Sequence, residues 1–151
     1  MCYRSRPVSA STKIASAGLL AIGGLHVVWS TGSSWPMKDR RLLTDAVVGS
    51  KDDVPPSPAA CLAVAGLLGT AATLVDGRPR ALPAISRLGA TGVVAVLASR
   101  GALGLAGRTD VVSPGSVSDN FRRLDRRVYS PLCLTLAALS LPAAFRDSRS
   151  C

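Results

Sequence analysis

Apolar residues along this chain gather in four long stretches, and charged residues gather between them. The first stretch runs from about Ile14 to Ser30, interrupted by His26 and a few small hydroxyls. The second runs from Pro58 to Val75 without a charge. The third runs from Leu88 to Leu105 with one charge, Arg100, and the fourth from Pro131 to Phe145. A soluble amphipathic helix places Lys or Glu every third or fourth residue on its outer face, whereas a helix apolar all round is buried or in lipid. The pattern therefore predicts an all-α fold. We expect an integral membrane four-helix bundle as a single domain over residues 1–151, with spans at about 14–30, 58–75, 88–105 and 131–145. The spans are at the short end of what crosses a hydrocarbon core of roughly 30 Å. The first stretch carries no A-x-A cleavage pattern, so it is expected to remain as a span.

The connecting segments add short interfacial helices in the first and third loops. In the first, Leu42, Leu43, Ala46 and Val47 recur at helical spacing within Met37–Val48, and Gly49 is a stop signal. The expected helix lies on the membrane surface. In the third, Ser118 or Asp119 is placed to cap a helix through Phe121, Leu124 and Val128. Ser57-Pro58 and Ser130-Pro131 both read as an N-cap followed by a first-turn proline. Small residues recur at helical spacing on the third span (Gly89, Gly92, Gly101, Gly104) and on the second (Gly66 with Thr70, Ala65 with Gly69), which suits close helix packing in lipid.

Composition sharpens this reading. The net charge of +9 suggests nucleic acid, but the arginines flank the apolar stretches, and aromatics are only 4%, too few for base stacking. Flanking cations suit anionic headgroups instead, so the expected partners are membrane lipids, with no nucleic acid and no protein partner indicated. The four cysteines form no C-x-x-C pair and have one His to join them. No metal or cofactor is expected.

Candidate chemistry rests on shared depth. His26 and Arg100 lie near the exits of two spans that run in the same direction, and Asp125 stands just before the span that starts from that face. Trp29 comes three residues after His26, on the same side of the helix, and Trp35 opens the long loop. These five residues, His26, Trp29, Trp35, Arg100 and Asp125, are expected to form one polar pocket roofed by two indoles. Each also has a plainer account. Arg100 snorkels, His26 satisfies an interhelical hydrogen bond, the indoles anchor at the interface, and Asp125 makes a surface salt bridge. No catalytic set is assigned.

Several residues carry a resemblance. Gly24-Leu25-His26-Val27-Val28-Trp29, Gly32, Trp35-Pro36 and Val48-Gly49, then Arg100-Gly101-Ala102-Leu103-Gly104, then Phe121, Leu124-Asp125 and Tyr129-Ser130-Pro131-Leu132-Cys133 appear in order. Together they resemble the bacterial membrane family called domain of unknown function 3995. The resemblance implies four spans and no established activity. It departs at Leu105, where an acid is expected after Gly104.

Two functions are compatible with these features. The first is a non-enzymatic membrane protein with a binding, structural or transport-accessory role. The alternative is a membrane-embedded enzyme acting on a lipid or amphipathic substrate through His26, Arg100 and Asp125. A proton-coupled transporter is disfavoured, since no Asp or Glu lies inside a predicted span.

Four spans place both termini on one face with the Asp76–Arg87 turn. That face carries eight Lys or Arg: Arg4, Arg6, Lys13, Arg78, Arg80, Arg87, Arg146 and Arg149. The other carries nine: Lys38, Arg40, Arg41, Lys51, Arg108, Arg122, Arg123, Arg126 and Arg127. The first face is shorter, so its basic density is higher. That favours cytoplasmic termini; the resemblance implies a multi-pass protein of the bacterial plasma membrane. In intact cells, Cys151 is expected to resist a membrane-impermeant thiol reagent, while a cysteine replacing Ser50 is labelled. Labelling of both positions from outside would show an odd number of spans.

Overall fold

The computed structural model describes residues 9–49, 56–79, 81–108, 111 and 118–145. The expectations for Ser50, Lys51, the termini with Cys151, and Arg4, Arg6, Arg80, Arg146 and Arg149 lie outside the described residues.

The described elements are all helical: α1 (Ala10–Ser30), α2 (Arg40–Val47), α3 (Pro58–Val75), α4 (Pro83–Leu105), α5 (Asp119–Leu124), a wide π turn (Asp125–Tyr129) and α6 (Ser130–Ala144). Three starts are set by Ser side chains that accept a backbone N–H: Ser9 from Thr12, Ser57 from Ala60 and Ser118 from Phe121. Because Ser9 caps so early, α1 begins at Ala10 and takes in Lys13, before the apolar run opens at Ile14. Likewise α4 begins at Pro83, a first-turn proline whose missing N–H costs the helix nothing.

The fourth span departs most from expectation. Ser130-Pro131 is not a helix start. The helix runs from Asp119 to Ala144 without a break. Pro131 has no N–H to offer the Arg127 carbonyl, and its ring would crowd it. The chain accommodates this with the π turn, in which the Ser130 N–H reaches back five residues to the Asp125 carbonyl.

Four helices are long and apolar enough to cross a membrane. Only 17% to 28% of the most apolar window of each is buried within the protein, and large apolar side chains face outward, among them Leu67 (71% exposed), Leu88 and Val96. A soluble bundle would hold polar residues there. The chain is thus a multi-pass membrane protein.

α1 packs against α3 and α6, and α4 packs against α6 and α3, closing a ring of four. Its shared core includes Ala15, Leu19, Ala72, Val75, Ala90 and Leu136. Across the α1–α3 contact, the buried Ser16 hydroxyl donates to the Ala72 carbonyl at 2.9 Å. Small residues matter most between α4 and α6. A Cβ on Gly101 would stand 2.6 Å from Leu134 Cγ and 2.9 Å from the Ser130 carbonyl. Gly66, Gly69 and Gly92 have no such neighbours within 4 Å, so they do not form the close contacts expected of them.

The first-loop helix is shorter than expected, and it does more than rest on the membrane. Asp39 caps it, and Gly49 ends it at φ +72, in the left-handed region. Leu43 and Ala46 are buried. Tyr129 Oη donates to the Ala46 carbonyl at 2.8 Å, Asn120 donates to Asp45 at 2.7 Å, and the Ser118 N–H donates to the Gly49 carbonyl at 3.0 Å. α2 is thereby fastened to α5 and the π turn as a cover on one end of the bundle.

Gly101→Val is expected to lower the stability of the detergent-solubilised protein by about 1–3 kcal/mol, the usual range for overpacking. Gly92→Ala, with open space around it, should be neutral or slightly stabilising. Thermal unfolding of the two variants beside the wild type checks the contrast, and equal melting temperatures would remove the close α4–α6 contact.

Candidate functional site

Arg100 lies on α4, one turn before Gly104, and Asp125 opens the π turn. Arg100 Nη2 donates to Asp125 Oδ1 at 2.7 Å. The Ser130 hydroxyl donates to the same oxygen at 3.3 Å. Asp125 is fully buried, and about a quarter of the Arg100 side chain (24%) remains exposed. The surface salt-bridge account of Asp125 is therefore overturned. Arg100 does not snorkel free either, because its guanidinium ends on a buried carboxylate.

Local sequence explains the meeting. In a regular helix, residues five apart do not share a face, so Asp125 and Ser130 would diverge. The π turn brings them together. On the opposite side, the backbone of Gly104 fills the place where a side chain would collide with the ion pair. A Cβ there would overlap Ser130 Oγ and stand 2.8 Å from Asp125 Oδ2 and 2.9 Å from Arg100 Nη1. Those last two atoms are buried and have no hydrogen-bond partner among the described residues. A donor and an acceptor thus face the same narrow gap above Gly104.

His26 lies elsewhere. Its Nδ1 donates to the Ile22 carbonyl of its own helix at 2.9 Å, and its ring sits 4.9 Å from that of Trp29. The two line a mainly apolar cleft of about 180 Å³ with Val48, Pro56, Cys61 and Val64. Trp29 Nε1 donates to the Trp35 carbonyl at 2.7 Å, while Trp35 itself is 62% exposed. Neither Arg100 nor Asp125 lines this cleft. The single pocket expected from the sequence is two separate places. The reason is the ring order: α1 and α4 are each flanked by α3 and α6, so they stand across the bundle from each other.

A second cavity, about 400 Å³, lies at the end of α4. It is lined by Gly107, Arg122, Arg123, Arg126 and Arg127, with the Arg126 guanidinium against the Gly107 backbone. Gly107 is in the left-handed conformation, φ +77, which turns the chain sharply off α4 and leaves room for that guanidinium. Along the chain these arginines are only flanking charges, and nothing in their order gathers them around a cavity. Their recurrence at 122, 123, 126 and 127, three and four apart on a helix, was the available signal. Among the described residues no three His, Cys, Asp or Glu side chains converge, so they offer no ready set of metal ligands.

No curated protein and no solved structure matches the chain. A family model described as "Protein of unknown function (DUF3995)" matches residues 19–140. That range takes in His26, the α4 arginine with its two glycines, Asp125 and the π turn. It covers most of the chain, and the protein belongs to this family of unknown function, DUF3995.

Proposed function

We propose that this protein is a non-enzymatic membrane component with a binding or structural role, and that the Arg100–Asp125 pair holds the binding face together. One observation carries the reading. Asp125 Oδ1 is taken by both Arg100 and Ser130, while His26 is bonded within its own helix beside a different cleft. An enzyme working through these three residues would need the imidazole within hydrogen-bond reach of the reacting group that Arg100 holds. The pair instead supports a structural part: it ties α4 to the π turn, and the π turn carries Tyr129, which holds α2. Two unpartnered atoms at Gly104 favour a polar contact with a small group there, which suits binding more than turnover.

Removing one member of a buried pair strands the other, at a cost of about 3–5 kcal/mol. Arg100→Leu and Asp125→Asn should each lower thermal stability in detergent. Arg100→Lys should rescue in part, because an ammonium lacks the planar fork. The double variant Arg100→Leu/Asp125→Leu should recover much of the loss, since a matched apolar pair leaves no buried charge. If Arg100→Leu alone is as stable as the wild type, the pair does not hold the face. Separately, a lipid extract reconstituted with the protein and analysed by mass spectrometry should come back unaltered. Conversion that His26→Ala abolishes would establish the enzymatic alternative.

A further inference from the structure

We propose that the arginine-lined cavity at the end of α4 binds the phosphate headgroup of an anionic phospholipid. This deepens the binding role just given and rests on it.

Four arginines line one cavity of about 400 Å³, and among the described residues no carboxylate lines it. That volume is within the roughly 300–1,000 Å³ usual for small-molecule sites. Among the described residues, Arg122, Arg123, Arg126 and Arg127 form no ion pair. Asp125 is adjacent in sequence, but it turns inward to Arg100. Four like charges around one cavity repel one another, and an anion among them would relieve that repulsion. The carbonyl end of α4 accounts for one cation, Arg126, which meets Gly107 there. Among the described residues no ion pair accounts for the other three.

Guanidinium forks match phosphate oxygens in geometry as well as charge, through paired N–H donors. The position selects a lipid over a free phosphate. The cavity stands where α4 leaves its apolar span and where the last span begins. Apolar side chains at both borders face outward: Leu105 on α4, Val128 on the π turn and Leu132 on α6. A headgroup among the arginines would leave its acyl chains along that apolar surface. A soluble phosphate would gain nothing from it.

The test uses the full chain purified in neutral detergent, with bound lipid measured by native mass spectrometry. Dioleoyl phosphatidylglycerol should bind at least about tenfold more tightly than dioleoyl phosphatidylcholine, given roughly tenfold for each 1.4 kcal/mol and about 1 kcal/mol per arginine near an anionic surface. Arg122→Gln/Arg126→Gln should remove that preference and leave phosphatidylcholine binding unchanged. Arg123→Gln/Arg127→Gln should do the same, and because both side chains are exposed and neither meets the end of α4, this variant should keep the wild-type melting temperature. Arg87→Gln, at the other end of α4, should keep the preference. Equal binding of the two lipids would overturn the proposal, as would loss of preference in Arg87→Gln to the same extent. Competition by glycerol 3-phosphate at concentrations equal to the lipid would also overturn it, by showing a site for soluble phosphate. None of these variants touches His26, Arg100 or Asp125. Lipid conversion by the wild type would therefore defeat the non-enzymatic reading alone, and absent headgroup preference would defeat this inference alone.

Discussion

A buried carboxylate inside a membrane bundle has to be neutralised where it stands, and in this protein one contact does so: Arg100 to Asp125 at 2.7 Å. An isolated ion in a medium of low dielectric is so unfavourable that the surrounding backbone is built around the pairing. Gly104 must lack a side chain, because a Cβ would overlap Ser130 and crowd both charged groups. Gly101 must be small for α6 to come near enough. The helix carrying Asp125 must open into a wider turn, so that Ser130 supplies a second donor to the same oxygen. Each of these features is odd alone, and each is accounted for by the need to satisfy one carboxylate.

The same turn organises the membrane face around it. Tyr129, at its end, holds α2 by the Ala46 carbonyl, and Asn120 and Ser118 at the preceding helix add two further bonds. Its outer side carries Arg126 and Arg127. One short stretch of chain therefore points an acid inward, a phenol sideways and two cations outward. An extra residue in a helical turn rotates the rest of the helix by about 100° around the axis, which is how neighbouring residues come to serve three directions. The opposite corner of the same end, beside His26 and Trp29, is a smaller and mainly apolar cleft. The face thus carries a cationic cavity at one corner and a mainly apolar cleft at another.

The amino-acid sequence by itself determined the class of fold. Four charge-poor stretches admit few arrangements once water is absent, because every backbone N–H and C=O has to be bonded within the segment. Local chemistry also marked three helix ends: Ser57, Ser118 and Gly49 act where their side chains, or lack of one, dictate. The family could be read from short runs around His26, Arg100 and Asp125. These are all one-dimensional signals, since a cap or an apolar run depends on residues a few positions apart.

Only the tertiary structure decided which of the polar residues meet. His26, Arg100 and Asp125 share a depth, and depth is set by position along a span. Contact depends also on rotation about each helix axis and on the order of helices around the ring, and neither is written locally. Ser130-Pro131 shows the limit most clearly. The pair has the form of a helix start, and Ser57-Pro58 is one. At Ser130 the preceding residues are already helical and held to α2, so the proline widens a turn instead of opening a helix, and the serine serves Asp125. The same dipeptide gives two outcomes because the buried charge of Asp125, paired with Arg100 twenty-five residues before it, decides which geometry has the lower free energy.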